Sequence, residues 1–435
     1  MWNFWKYSVS ALVFLGYSVH AQELLTPEQA VEEALRNNHN ILVASSQKEI
    51  IAAGATLGNA GMLPTIDVAA TQQHQLEDTR LSFYDGRMLE ADNAASRNRN
   101  LGALLNWTIF DGLNMFMQYD RLREMNILEE YRLKETIENT VFETQQAYYD
   151  VVLQKQLLNA FAESMEISSQ KLQLVEDKLE VGASSRAEFL QARVDYNMQR
   201  SNFLRQRTEV DNARVRLNQV MGSAPEREYE VVNTIVYENN LERESVYNNM
   251  LSSNNSLLQS VVGRNLAFLN KRSASSLYFP RINVYSSYNI SSLTSEAGIL
   301  MAAQANGWNY GVTASWRIFD GFTVSRAHQI SKIQERQSEQ LYHMTLHNLN
   351  SELRRGYNTY ANNKELLELE EENMQLAREN IALALDRFEA GVISAYELKE
   401  AELSFNEANS RLVSARFQAK VSELELLRIS GRLVQ

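Results

Sequence analysis

Apolar and polar residues alternate in four short stretches of this chain. From Arg281 to Ile290 one face carries Ile282, Val284, Tyr288 and Ile290. From Asn309 to Ile318 one face carries Tyr310, Val312, Ala314, Trp316 and Ile318, and the other Asn309, Gly311, Thr313, Ser315 and Arg317. Leu101, Ala103, Leu105, Trp107 and Ile109 form a third such face, and Ile66, Val68 and Ala70 a weaker fourth. A period of two puts alternate side chains on opposite faces of a strand. Strands are therefore expected at about 65–74, 100–109, 281–290 and 309–318.

Between these stretches the chain offers almost no breaks. It holds four prolines and 17 glycines in 435 residues. A first helix is expected to begin at Thr26 as N-cap, with Pro27 at the first helical position and Gln29 three after the cap, and to run to about Gly61. No glycine or proline interrupts 113–180, so one helix about 100 Å long is predicted there. The segment 322–390 reads the same way, broken only by Gly356. Helices this long must pack side by side in coiled-coil fashion. Gly182 and Gly391 stop them. Capping boxes then start return helices over 185–220 and 394–430, Ser185 with Glu188 and Ser394 with Glu397. A turn this short makes each return helix antiparallel to its partner. The return helices are half as long as the outgoing ones. Two half-length helices stacked end to end would match one full-length helix.

The pattern occurs twice. Trp107 to Gly112 returns as Trp316 to Gly321, and Gly182 as Gly391, both shifted by 209 residues. Pro64 returns as Pro280 and Asn38 as Asn254, shifted by 216. This places a first repeat over 22–221, a connecting segment over 222–240 and a second repeat over 241–435.

The beginning of the chain narrows the setting. Lys6 precedes a short apolar run, and Val19 and Ala21 fit a small-residue cleavage pattern, so 1–21 is expected to be a signal peptide and Gln22 the mature start. No stretch is long and apolar enough for a membrane-spanning helix. The chain has no cysteine, which excludes disulfides and a lipid-modified cysteine. Its formal charge of −12 argues against nucleic acid as a partner. Strands of about ten alternating residues with aromatic ends then suggest an outer-membrane barrel over a soluble sheet with one dry face. Four strands cannot close a barrel, for which about eight are needed, so the chain must oligomerise.

Three paired junctions carry a family resemblance: Pro64 and Pro280 between helix and strand, Phe110-Asp111-Gly112 and Phe319-Asp320-Gly321 between strand and helix, and Val181-Gly182 and Ala390-Gly391 at the helix turns. In their order, spacing and duplication the chain resembles the TolC-type outer-membrane efflux and secretion channels, over essentially all of its mature length. The resemblance implies an α+β membrane protein. Three protomers would form one twelve-stranded β-barrel that continues as an α-helical barrel into the periplasm. It also implies a homotrimer in outer-membrane lipid, a periplasmic adaptor and an inner-membrane transporter as partners, and no cofactor. The strand connections at 74–99 and 291–308 would face outside the cell, and the tips at 182–185 and 391–394 would be the periplasmic end.

Such channels close at that end with acidic rings. Carried over by position, the acids are Glu397 and Glu400, with Glu188 from the first tip. The family's gate tyrosine and arginine fall at Phe388 and Ile393, so those links are missing, and Arg186 is a candidate substitute. The resemblance implies that Val181, Gly182, Ala183, Ala390, Gly391 and Val392 meet the adaptor. Plainer roles compete. Glu188 and Glu397 are accounted for as capping acids, and Glu400 as a charge on a solvated helix face beside Lys399 and Glu402.

No catalytic cluster is visible, and an enzyme is not expected. His74 reads as a surface residue, and His343 and His347, one helical turn apart, as an exposed polar face and not a metal site. Tyr148 and Tyr357 read as helix packing. An exported coiled-coil scaffold without a pore is the alternative.

Overall fold

The structure, a computed structural model, describes residues 24–237, 240–297 and 300–433. The expected signal peptide lies outside them. The chain divides into two compact units. One comprises the described chain up to Asn38 with Thr140–Leu241 and Asn358–Glu425. The other comprises His39–Asn139, Glu242–Tyr357 and the chain from Leu426 on.

In chain order the elements are β1 (Leu24–Leu25), α1 (Pro27–Asn37), α2 (His39–Gly54), β2 (Thr65–Ser82), β3 (Met88–Phe110), α3 (Asn114–Glu180), α4 (Arg186–Met221) and β4 (Glu230–Val231). There follow α5 (Arg243–Ser253), α6 (Asn255–Ser276), β5 (Arg281–Ser295), β6 (Ala302–Ser315), α7 (Thr323–Glu389) and α8 (Ala395–Ser430). Helices α3 and α7 have 67 residues each, and α4 and α8 have 36 each.

The first unit is a packing of α3, α4, α7 and α8. On α7, Tyr360, Leu367, Met374, Ile381 and Phe388 are buried at intervals of seven. On α8, Leu398, Ala401, Phe405, Ala408, Leu412, Ala415 and Ala419 are buried at alternating intervals of three and four. That spacing keeps one seam facing its neighbours, as in a coiled coil. The segment after α4 folds back, and β4 pairs in parallel with β1. Tyr148 of α3, wholly buried, ties both down. Its hydroxyl donates to the Leu25 carbonyl at 2.9 Å and accepts the Val232 N–H at 3.1 Å.

Thr26 caps α1 through the expected box with Gln29. The single helix expected from there to about Gly61 is nevertheless two, because Asn38 adopts extended backbone. Its side-chain amide donates to the Val220 carbonyl in the last turn of α4 at 2.7 Å, where carbonyls have no helical partner. Gly222, which ends α4 at φ 71°, is so close that a Cβ there would sit 2.6 Å from the Asn37 carbonyl oxygen. The second unit repeats this arrangement within itself. Asn254 separates α5 from α6 and donates to the Ile429 carbonyl at 3.1 Å. A Cβ on Gly431 would sit 2.6 Å from the Ser253 carbonyl oxygen. Asn254 also caps α6 locally by accepting the Leu257 N–H at 3.0 Å, but the carbonyl to which each asparagine donates is far away in sequence.

The second unit also holds a four-stranded antiparallel sheet in the order β2-β3-β5-β6. The strands differ from the expected segments. Residues 75–82 and 88–99 extend β2 and β3, because Gln72, Gln73, His74 and Gln75 put polar groups on both faces and erase the alternation while the ladder continues. In β6 the strand covers 302–315, so Trp316 and Ile318 lie beyond it. Its last pair joins Ser315 to Arg281, and the preceding Pro280 has no N–H with which to continue the ladder. Trp316 instead donates its indole N–H to the Tyr278 carbonyl at 3.1 Å, as Trp107 does to that of Met62 at 2.9 Å.

Candidate functional site

Each tip forms from local rules. Gly182 at φ 76° ends α3, and the Ala183 N–H returns to the Lys178 carbonyl at 2.7 Å. Gly391 at φ 75° ends α7, and the Val392 N–H returns to the Arg387 carbonyl at 2.8 Å. Left-handed backbone of this kind favours glycine. No atom lies within 4 Å of a Cβ built at either one. Val181, Ala183, Ala390 and Val392 are exposed, as are both glycines.

Glu188 accepts the Ser185 N–H at 3.0 Å and the Ser184 hydroxyl at 2.7 Å. Glu397 accepts the Ser394 N–H at 2.8 Å and the Ser394 hydroxyl at 2.9 Å. The backbone N–H bond is the main cause that holds each carboxyl below the usual glutamate range. Both acids thus serve as caps, and both stay exposed. Glu400 makes no cap bond. It lines a cavity of about 230 Å³ with Arg387, Ile393 and Glu397. It also lines another of about 360 Å³ with Glu188, Tyr396 and Lys399. Arg186 is exposed and stacks over Phe189 of its own helix at 5.1 Å. Phe388 is buried under Lys178, whose ammonium lies 4.4 Å from the ring centroid and donates to the Phe388 carbonyl at 2.6 Å. Through Lys178 the end of α3 grips the end of α7.

A charge cluster lies behind these residues, and sequence reasoning missed it. Lys171 of α3 is 3 % exposed, Asp195 of α4 5 % and Glu402 of α8 7 %. The Lys171 ammonium lies 3.0 Å from Glu402 Oε2 and 3.5 Å from Asp195 Oδ2. Lys399 of α8 reaches Asp195 Oδ1 at 3.0 Å. Three helices therefore meet on two cations and two carboxylates. Burial alone would raise the Asp195 pKa, but the Lys399 hydrogen bond and the two lysine charges bring it below the usual range. At Glu402 burial dominates and raises the pKa against the attraction of Lys171. Glu402 Oε1 is buried with no hydrogen-bond partner. The solvated face expected around Glu400 is thus half wrong: Glu400 is exposed, while Glu402 is buried. On sequence alone these residues look like an ordinary charged helix face. Only the seam spacing of Ala401, Phe405 and Ala408 points to burial nearby.

Among the described residues no group of three or more His, Asp or Glu side chains could hold a metal ion, and no helix is long and apolar enough to cross a membrane. His343 is exposed and lies 3.4 Å from Glu339.

Comparison with known proteins adds an independent line. The family described as outer membrane efflux protein matches residues 30–223 and 246–432. No curated protein sequence matches the chain. Among solved structures it is similar to CusC, with 19 % identity and a TM-score of 0.77, over 93 % of this chain and 92 % of that one. It is similar to the CmeC outer membrane channel of Campylobacter jejuni, with 16 % identity and a TM-score of 0.78, over 99 % and 94 %. It is also similar to the outer membrane protein VceC of Vibrio cholerae, with 14 % identity and a TM-score of 0.76, over 93 % and 96 %. At these identities the likeness is one of fold. The family match covers most of the chain, and the chain belongs to the outer membrane efflux protein family.

Proposed function

We propose that this outer membrane efflux protein works as a homotrimer. Each protomer gives four strands to a twelve-stranded barrel and its long helices to a periplasmic tunnel. One observation carries the reading. The sheet ends in two edges, β2 and β6, each with a neighbour on one side only, while one face exposes Ile66, Val68, Trp308, Tyr310 and Val312. An apolar face of that kind suits lipid, and in lipid every strand edge must be paired. Three copies closing on each other's edges meet both needs. The matching geometry of Asn38 with Asn254, and of Gly222 with Gly431, supports reading the chain as two copies of one unit.

In this reading the channel passes substrates outward from an inner-membrane transporter and a periplasmic adaptor, as part of a tripartite efflux pump or a type I secretion system. The exposed tips, Val181-Gly182-Ala183 and Ala390-Gly391-Val392, are the adaptor contacts. Glu397 and Glu400 are the gate acids, with Glu188 and Arg186 beside them. Exposure and a shared cavity support Glu400 most directly. A ring of such carboxylates in a narrow passage would hold a negative potential of several kT and favour cations. The test is assembly and conductance together. Purified protein should run in detergent at about three times the chain mass and give single-channel currents in planar bilayers. A monodisperse monomer without currents would favour an exported scaffold instead.

A further inference from the structure

The register of the sheet sorts its side chains by row. On the exposed apolar face, Val284 pairs with Trp107 and Val312, Tyr288 with Ala103 and Trp308, and Ile290 with Leu101 and Asn306. Leu101 in turn pairs with Ala70. From Ile282 to Ile290 this band runs about 27 Å along the strand, or about 21 Å along the membrane normal at a tilt of about 40°. Lipid-facing bands are about 25 Å tall. The next two rows on the same face therefore reach the headgroup level. They sit toward the hairpins, away from the strand ends that meet the helices.

Those rows hold no large apolar side chain. The first holds Gln72, Arg99, Ser292 and Gln304, and the second His74, Arg97, Thr294 and Ala302. Neither contains a carboxylate. Arg97 and Arg99 are exposed and form no ion pair among the described residues, and Arg97 Nε lies 3.4 Å from His74 Nδ1. Beyond them Glu296 is occupied by the Ala95 N–H at 3.1 Å. Two guanidiniums without acidic partners are unexpected in a chain of formal charge −12. At the edge of a lipid-facing band, long arginine side chains can rest their stems on acyl chains and hold their heads at the surface. The planar fork of each suits phosphate oxygens.

We propose that Arg97 and Arg99, with His74, hold the phosphate of an anionic lipid in the outer leaflet. The lipid's chains lie on the apolar rows of Leu101, Ala70 and Ile290. This rests on the reading that the helices leave the sheet toward the periplasm and the apolar face meets lipid. It does not depend on the gate.

The test is a titration of the detergent-solubilised protein followed by native mass spectrometry. The probes are phosphatidic acid, diacylglycerol with the same chains, and inorganic phosphate as competitor. The wild type should retain phosphatidic acid over diacylglycerol. Arg97→Gln/Arg99→Gln should weaken that retention about thirtyfold, from roughly one charge–lipid contact at each arginine. Arg97→Lys/Arg99→Lys should keep most of it. If the double glutamine variant does not assemble, Arg99→Gln alone should lower retention about fivefold. Equal retention by the glutamine variants and the wild type overturns the proposal, as does displacement of the lipid by inorganic phosphate. Failure of the channel reading would look different, because the protein would then form neither trimers nor currents.

Discussion

Lys171 of α3 lies 3.0 Å from Glu402 of α8, and both are almost wholly out of solvent. Such a pair contributes little net stability when complete, because desolvation of both ions offsets their attraction. Breaking it by removing one partner leaves a buried charge and costs about 3–5 kcal/mol. Lys171→Met should therefore loosen the start of α8. Hydrogen exchange of 395–405 should rise well above wild type. Lys171→Met/Glu402→Leu, which removes both of its ions, should recover much of the protection. If the single variant exchanged like wild type, the cluster would not hold α8.

The cluster also sets a pH dependence. Burial raises the Glu402 pKa above the ordinary 4.5, so between the two values the folded protein binds more protons than the unfolded one. Its contribution is full below that ordinary value and is lost as pH rises through the raised one. Asp195 acts oppositely. Its pKa is lowered from 3.8, so its contribution is present above that pH and is lost on further acidification. Protection of the α8 start, corrected for intrinsic exchange, should be greatest in mild acid and decline as pH rises through the raised Glu402 value. Glu402→Gln should flatten that decline. A profile unchanged by the substitution would exclude Glu402 as its source.

The tip acids separate into cap and gate. Ser394→Ala removes the hydroxyl that accepts the Glu397 N–H and should cost about 1 kcal/mol, seen as fraying of the first turn of α8 by exchange. Glu400→Gln should leave that turn intact, since no cap uses Glu400. In planar bilayers the same substitution should lower cation selectivity and weaken block by multivalent cations. Glu397→Gln should weaken block less cleanly, because glutamine still serves the cap. Unchanged selectivity with Glu400→Gln would leave that residue a solvated charge.

Four glycines with similar φ should respond differently. At Gly182 and Gly391 alanine meets no atom within 4 Å, so only the left-handed backbone resists it, at about 1 kcal/mol. At Gly222 and Gly431 the new Cβ would also strike a backbone oxygen at 2.6 Å. Gly222→Ala and Gly431→Ala should cut the yield of folded protein. Gly182→Ala and Gly391→Ala should keep yield and trimer, and larger residues there should reduce efflux if the tips meet an adaptor. Equal yields for all four would mean that the asparagine junctions relax freely.

The sequence by itself determined what short-range chemistry decides. Thr26, Pro27 and Gln29 start α1 because the cap bonds are local. Ser185 with Glu188 starts α4 in the same way. The alternation of Leu101 to Ile109 marks β3 where one face of the strand is apolar, and the paired Phe-Asp-Gly and Gly junctions were enough to point to the family. Tertiary structure alone decided whatever depends on a distant partner. Asn38 breaks a helix because it binds a carbonyl 182 residues away. Strands β2 and β3 extend past the alternating stretch because a backbone ladder needs no apolar side chains. Lys171, Asp195 and Glu402 look like surface charges in one dimension. They are buried because three helices bring their charges to one point beside their shared apolar seam, where opposite signs make burial tolerable.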